Sequence, residues 1–132
     1  MKASDLFVKC LEEEGVTRIF GVPGEENADF MISLKQSKKI EFILCRHEQA
    51  AAFMADAYGR LTGKAGVCLS TLGPGVTNLM TGLADANMDR SPVVALIGQG
   101  STNRLHKESH QIMDSISMVH PISKWAQTIL SP

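Results

Sequence analysis

Four short apolar runs alternate with segments of helical periodicity along this chain, and this alternation constrains the fold more than any other feature. The connections between them are only a few residues long. A strand, a helix and a second strand joined by short loops form a right-handed unit whose two strands lie parallel in one sheet. The sequence therefore predicts the α/β class, with a doubly wound, mostly parallel sheet flanked by helices, of the flavodoxin-like type. The predicted strands are residues 17–21, 41–45, 65–71 and 92–97, and the predicted helices are residues 3–14, 27–36, 46–63 and 76–88.

Local signals give the predicted helices their ends and their inward faces. In the first helix, Ser4 is the expected N-cap and Gly15 the expected stop. The strand 92–97 lacks polar alternation, which is typical of a strand that is covered on both faces. The residues expected to face inward from the helices are Phe7, Cys10 and Leu11 in the first, Phe30, Met31 and Leu34 in the second, and Leu79, Met80 and Leu83 in the fourth.

After Gly98 the alternation ends. Residues 99–109 are polar and loop-like, residues 111–119 have the pattern of a short helix, and residues 120–127 have that of a further strand. Because no strand–helix unit follows to complete the sheet edge, we expect residues 1–132 to be one incomplete domain of a larger polypeptide.

Composition argues against several classes of protein. The 13 basic and 14 acidic residues are interspersed, so no basic surface for a nucleic acid is expected. The longest apolar run, 93–98, is too short to cross a bilayer, and the N-terminus lacks the hydrophobic segment of a secretory signal. Cys10, Cys45 and Cys68 lie in apolar segments, which favours buried free thiols over a disulfide or a metal site. We expect a soluble cytoplasmic protein that binds neither nucleic acid nor a membrane.

The predicted helix 46–63 has three distinct faces on a 3.6-residue period. One is a narrow polar stripe, and the other two are apolar or small, so the helix needs two neighbours, its own sheet and a second partner. We expect the small-residue face to admit another backbone closely, and Glu48 at its head to lie at that contact and not in open water. The polar stripe is Gln49, Asp56 and Arg60, the apolar face is Ala50, Phe53, Ala57 and Leu61, and the small-residue face is Glu48, Ala52, Ala55 and Gly59.

Two features could carry chemistry, and each also has a purely structural explanation. The turn of Gly73, Pro74 and Gly75 joins a strand to a helix, where backbone amides can meet an anion or a ring, yet glycine in a tight turn needs no further function. Glu48 in a first helical turn suits the helix dipole without any ligand, although its small neighbours would exclude water. From the residues alone we predict a site at the carboxyl ends of the strands, and no particular reaction.

Other polar residues leave their roles open. The segment 104–114 is either a solvated loop or a loop that faces a substrate. The four histidines lack the spacing of metal ligands and favour surface or hydrogen-bonded structural roles; they are His47, His106, His110 and His120.

Four sequence blocks occur in one order along nearly the whole chain, and together they are far more specific than each is alone. They resemble the N-terminal, pyrimidine-binding domain of thiamine-diphosphate enzymes, and among these the acetolactate synthase group. The blocks are residues 20–24 (FGVPG), 46–51 (RHEQAA), 73–78 (GPGVTN), and 106–111 (HKESHQ) together with 121–125 (PISKW).

The resemblance implies specific roles for the site residues. Glu48 matches the glutamate that hydrogen-bonds a ring nitrogen of the cofactor's aminopyrimidine. It is catalytic in this interpretation because it favours the imino form of the neighbouring amine, the base that activates the thiazolium carbon. Gln111 matches a glutamine at the reacting end of the cofactor. The other cofactor-binding residues implied are Val22, Pro23 and Gly24 in one loop, and Gly73, Pro74, Gly75 and Asn78 around the ring.

The resemblance also implies partners and further cofactors. In this family one subunit binds the pyrimidine and another the diphosphate with Mg²⁺. We therefore expect a homodimer or tetramer with the site at the subunit interface and the Glu48 helix within it. The domain that binds the diphosphate and Mg²⁺ is absent from residues 1–132, so this chain alone should be inactive, and FAD is bound by some relatives.

The reaction implied is decarboxylation of a 2-oxo acid such as pyruvate and transfer of the two-carbon unit to a second 2-oxo acid. Glu25, Glu26 and Asn27 follow the Pro-Gly turn where some acetolactate synthases carry other residues. This departure leaves open another pyruvate-using enzyme of the family, an oxidase or a decarboxylase. Two alternatives without catalysis are a flavodoxin-like module that binds a nucleotide or phosphate, and a structural domain that pairs through the Glu48 helix.

Overall fold

Four parallel strands form one sheet in the order β2–β1–β3–β4 in the computed structural model, which describes residues 1–105 and 107–132. Ile19 lies beside Phe42 on one side and Val67 on the other, so β1 is central. The predicted doubly wound α/β class is confirmed, and each of the four predicted strands lies within one residue of its expected bounds. The strands are β1 (Arg18–Gly21), β2 (Glu41–Leu44), β3 (Gly66–Ser70) and β4 (Val93–Ile97).

Helices cover both faces of this sheet. The pair α1 (Ala3–Glu13) and α2 (Ala28–Leu34) packs on one face, and the pair α3 (Glu48–Thr62) and α4 (Pro74–Met88) packs on the other. Within the described residues, no helix is both long and apolar enough to cross a membrane. The remaining elements are the short helix α5 (Ser115–Val119) and two 3₁₀ turns, Glu25–Asn27 before α2 and His120–Ile122 after α5.

Strand β3 divides the core into two clusters because its side chains alternate between the faces. Val67 and Leu69 join the cluster under α1 and α2, which includes Leu34 as predicted, and Cys68 joins the cluster under α3 and α4. All five residues of β3 are buried. The prediction that β4 is covered on both faces is wrong, since Val94 is 39 % exposed. Among the described residues β4 pairs with β3 alone, so it is an edge strand.

Two predictions about α1 are also wrong. The N-cap is Lys2, whose backbone N–H donates to the Asp5 carboxylate at 3.1 Å, and the Ser4 hydroxyl instead lies 2.9 Å from that of Ser33. Cys10, which was expected to face inward from α1, is exposed. Leu11 is buried as predicted, and Val8 is buried in place of Cys10. Cys45 and Cys68 are buried free cysteines, as predicted.

The further strand predicted within residues 120–127 is wrong as well. Residues His120–Ile122 form a 3₁₀ turn, and no strand is assigned among residues 123–127. Pro121 lacks the amide that a strand ladder needs. Trp125, within the predicted strand, is 75 % exposed.

Of the two faces of α3 that were expected to be buried, the small-residue face packs inside the chain and the apolar face does not. A Cβ atom added to Gly82 of α4 would lie 2.6 Å from that of Ala52, and one added to Gly59 would lie 2.6 Å from the Pro92 carbonyl oxygen. The close neighbours of the small-residue face are therefore α4 and Pro92, directly before β4, in the same chain, and not another subunit.

The predicted apolar face of α3, which was also expected to be buried, points outward together with Met54. Phe53 is 36 %, Met54 45 % and Leu61 87 % exposed, and Ala50 and Ala57 lie exposed among them. We call these five residues the outer face of α3. The predicted polar stripe is split, because Asp56 is buried and Arg60 is exposed.

Candidate functional site

The carboxyl ends of β1 and β3 form the natural position for a site in this topology. The two strands are neighbours, but the chain leaves β1 toward one sheet face and β3 toward the other. At such a switch point the loops diverge and leave a crevice between them. The loop after β1 contains Val22, Pro23 and Gly24, and the segment after β3 contains Thr71 and the Gly73–Pro74–Gly75 turn.

Glu48 begins α3 beside this crevice. His47 is the N-cap of the helix, and its Nδ1 accepts a hydrogen bond from the Gln49 amide at 3.1 Å. The Glu48 side chain is half-buried, and its Oε2 accepts a hydrogen bond of 2.9 Å from the Nδ2 of Asn78 on α4. Its other oxygen, Oε1, lies 3.5 Å from where a Cβ atom on Gly75 would stand. One carboxylate thus joins the start of α3 to the first turns of α4.

The Gly73–Pro74–Gly75 turn is explained in part by backbone geometry. Gly73 has φ +57°, and a Cβ atom there would lie 2.7 Å from the Gln111 carbonyl oxygen. The amide of Gly75 donates to the Leu72 carbonyl at 3.2 Å, and the amide of Val76 donates to the Gly73 carbonyl at 3.0 Å. Because these amides are already bonded, they are not free to donate to an anion. Gly73 and Gly75 are buried, and Pro74 is the residue of the turn that is exposed.

The loop after β1 contacts the same end of the sheet. The Gly24 amide donates to Asn27 Oδ1 at 2.9 Å, and a Cβ atom on Gly24 would lie 2.6 Å from the Cβ of Thr71. Thr71 also lies next to Gly75, where an added Cβ atom would be 3.3 Å from its methyl group. Pro23 is exposed in the same loop.

The structure therefore brings most of the predicted site residues together. Thr71 connects the Gly24 loop to Gly75, and Gly75 lies against Glu48, which holds Asn78. Gln111 meets the turn through its backbone at Gly73, and its own φ of +55° is unusual for a residue with a side chain. Its side chain is exposed.

Three residues at this edge were not among the predicted site residues, namely Glu26, Thr71 and Arg104. Glu26 has a side chain only 9 % exposed, its Oε2 accepts a hydrogen bond of 3.0 Å from the Thr71 hydroxyl, and its Oε1 lies 3.8 Å from Arg104 Nη2. The signal available in the sequence was the Glu25–Glu26 pair directly after the Pro-Gly turn. Nothing in the residue pattern showed that Glu26 would turn inward toward Thr71, because a short 3₁₀ turn sets its direction.

The histidines show no ligand cluster in the part of the chain that the structure describes. His110 and His120 are exposed, and His106 lies outside the described residues. No three histidine, cysteine or carboxylate side chains among the described residues group closely enough to hold a metal ion.

Comparison with known sequences gives the site its context. The family described as "Thiamine pyrophosphate enzyme, N-terminal TPP binding domain" matches residues 1–118. The chain belongs to this family. It is 48 % identical over 95 % of its length to an acetolactate synthase of Bacillus subtilis, and 46 % identical over its whole length to a probable acetolactate synthase large subunit of Methanocaldococcus jannaschii. It is also 41 % identical over 98 % of its length to a glyoxylate carboligase of Escherichia coli O157:H7. The chain spans 22 % of the length of each of these three relatives.

Proposed function

We propose that this chain is the pyrimidine-binding portion of an acetolactate synthase-like enzyme. That enzyme decarboxylates a 2-oxo acid such as pyruvate and transfers the two-carbon unit to a second 2-oxo acid. The observation that carries the proposal is the Glu48 carboxylate, held by Asn78 beside Gly75 at the switch point of the sheet. The names of the two acetolactate synthases and the carboligase support the reaction class.

The residues of the crevice fit an aminopyrimidine ring. A carboxyl group can share a proton with a ring nitrogen, and the exposed Pro74 in the turn beside it offers an apolar contact to a flat group. The bonded amides of the turn fit the pyrimidine better than the diphosphate. Pro23, Gly24, Gly73 and Pro74 complete the proposed cofactor-binding set together with Glu48, Gly75 and Asn78.

Thiamine diphosphate supplies the carbanion chemistry when bound, and the residues of this chain control one proton. Glu48 holds that proton at the ring nitrogen, and Asn78 restrains the carboxylate by donating to Oε2. Half-burial beside small residues weakens competition from water for the same hydrogen bonds. Gln111, on the loop that crosses Gly73, is proposed to face the reacting substrate.

We also propose several features of the enzyme that involve more than residues 1–132. Mg²⁺ and the diphosphate would be bound by a further domain, FAD would be an additional cofactor, and the assembly would be a cytoplasmic homodimer or tetramer. The outer face of α3 supports the assembly, because it leaves Phe53 and Leu61 exposed on the helix that starts with Glu48. This chain alone would then be inactive. An oxidase or decarboxylase acting on pyruvate is the second candidate, because Glu25, Glu26 and Asn27 follow the Pro-Gly turn where some acetolactate synthases carry other residues.

Glu48→Gln in the full-length protein tests the proposed function. We expect product formation from pyruvate, and from glyoxylate, to fall by about 100-fold or more, because proton control by one positioned side chain is worth roughly that factor. Glu14→Gln is the matched control, since Glu14 is exposed at the end of α1, before the amino end of β1 and so toward the sheet edge opposite the crevice. It should leave product formation unchanged.

Two results would contradict the proposed function. Unchanged activity in the Glu48→Gln variant would remove the role assigned to this carboxylate. Binding of thiamine diphosphate with magnesium, measured by titration calorimetry, but no product from the wild-type protein would favour a binding module over an enzyme.

A further inference from the structure

Glu26 places a nearly buried carboxylate at the carboxyl ends of β1 and β3. Its side chain is 9 % exposed, and it belongs to the 3₁₀ turn Glu25–Asn27. A buried carboxylate is costly unless hydrogen bonds and an opposite charge compensate it. Glu26 has both, because Thr71 donates to Oε2 at 3.0 Å and Arg104 lies 3.8 Å from Oε1. One side chain thus joins the segments that follow β1, β3 and β4.

The Glu26 carboxylate restrains the Arg104 guanidinium in an ion pair but does not accept a direct hydrogen bond from it. A separation of 3.8 Å between Nη2 and Oε1 is an ion pair and exceeds a direct N–H···O hydrogen bond of about 2.7–3.2 Å. The guanidinium side chain is 42 % exposed, and among the described residues it donates no side-chain hydrogen bond. Its planar fork of donors therefore remains available, and that geometry matches a carboxylate in two parallel hydrogen bonds.

Other cations at this edge lack such an anchor. Lys107 on the same loop and Arg46 after β2 are exposed, and neither forms an ion pair with a described residue. A cation that is restrained before binding loses less conformational freedom when it meets an anion. Arg104 is therefore better prepared than Lys107 or Arg46 to recognise a small anionic substrate.

We propose that Arg104 is a specificity-determining residue that binds the carboxylate of the acceptor 2-oxo acid, and that Glu26 is the positioning residue that aims it. This inference rests on the proposed function, since it names the group of the substrate that the same crevice recognises. Thr71 connects the two parts of the site, because it binds Glu26 and also lies against Gly24 and Gly75.

A competition between a charged and an uncharged acceptor tests this proposal in the full-length protein. With pyruvate as donor, 2-oxobutyrate and isotopically labelled acetaldehyde are supplied together, and the two products are quantified by mass spectrometry. The label separates the acetaldehyde product from acetoin that forms when acetolactate, made from two pyruvate molecules, loses carbon dioxide. Because both acceptors compete in one reaction, the product ratio does not depend on how much of a variant folds. We expect Arg104→Gln to shift the ratio toward the acetaldehyde product by about tenfold or more, the value of a lost charged hydrogen bond.

Three companion variants sharpen the result. Arg104→Lys should give an intermediate ratio, because it keeps the charge but loses the fork. Glu26→Gln should shift the ratio in the same direction by less, because the cation remains but is no longer anchored by an opposite charge. Lys107→Gln removes an exposed charge from the same loop and should leave the ratio at the wild-type value.

An unchanged ratio in Arg104→Gln, or an equal shift in Lys107→Gln, would overturn the proposal. If Glu48→Gln still abolished product formation in that case, the proposed function would stand without it. If the wild-type protein made neither product, the proposed function would fail and this inference with it.

Discussion

The space beside Gly73 is set by a neighbouring backbone, and this gives a sharp prediction for one residue. Gly73 has φ +57°, and an added Cβ atom would lie 2.7 Å from the Gln111 carbonyl oxygen. Gly63 has a similar φ of +69° with nothing within 4 Å of an added Cβ atom. We expect Gly63→Ala to cost about 1 kcal/mol of unfolding free energy from backbone strain and Gly73→Ala to cost about 3 kcal/mol from strain and collision. Urea unfolding of both variants measures the difference. Equal costs would show that the Gln111 loop yields freely.

Individual residues also show where sequence reasoning reached its limit. Glu48, Gly75 and Asn78 were predicted from their blocks, and the structure places them in contact or close to it. Glu26 was noted only as a departure in the sequence. Its inward direction depends on the 3₁₀ turn and on Thr71, which is 45 positions away in the chain. Contacts of that kind come from the strand order and not from a local pattern.

At the scale of elements, Arg60 links α3 to α4 through ion pairs. Arg60 Nη2 lies 2.7 Å from Asp56 Oδ2 and 2.8 Å from Asp85 Oδ2, and Arg60 Nη1 pairs with Asp89. The Asp56 side chain is 6 % exposed, and the hydrogen bond from Arg60 lowers its pKa. A carboxylate whose folded-state pKa is lowered stabilises the fold above its unfolded pKa of about 3.9, and this contribution is lost as the pH falls through the folded-state value.

Arg60→Gln should therefore lower the thermal unfolding midpoint by several degrees near neutral pH, because it leaves a buried carboxylate without its partner. The difference from wild type should shrink below about pH 4, where the carboxylates become protonated. Arg18→Gln is the control, since the Arg18–Glu41 pair is 3.5 Å apart with both side chains more than half exposed. Calorimetry across pH checks both variants, and a difference that does not vary with pH would contradict the assigned role.

The faces of α3 show what periodicity resolves and what it leaves undecided. The 3.6-residue pattern predicted the helix and separated its faces, but two faces were free of charged side chains apart from Glu48 at the helix start. The choice between them depended on Gly82 of α4, which lets Ala52 approach to a distance that a side chain would prevent. In the same way, Val8 is buried and Cys10 is exposed on α1, and because both side chains are apolar the periodic pattern alone does not choose between them.

At the scale of the whole molecule, the outer face of α3 should be covered by a second copy of the chain. Phe53 and Leu61 are large apolar side chains that are 36 % and 87 % exposed in the isolated chain, and contiguous exposed apolar surface marks association sites. Phe53→Glu places a charge in that surface, so we expect the full-length protein to lose its dimer mass in analytical ultracentrifugation while its far-ultraviolet circular dichroism stays unchanged. Ile32→Glu is the matched control, because Ile32 is 57 % exposed on α2, which packs on the opposite face of the sheet.

A Phe53→Glu protein that sediments like wild type would place the subunit contact elsewhere. Loss of the dimer in both variants would point to general destabilisation and not to the outer face of α3. Loss in Phe53→Glu alone would place the subunit seam along the helix that begins with Glu48, and so bring the proposed cofactor contact to the edge of the partner.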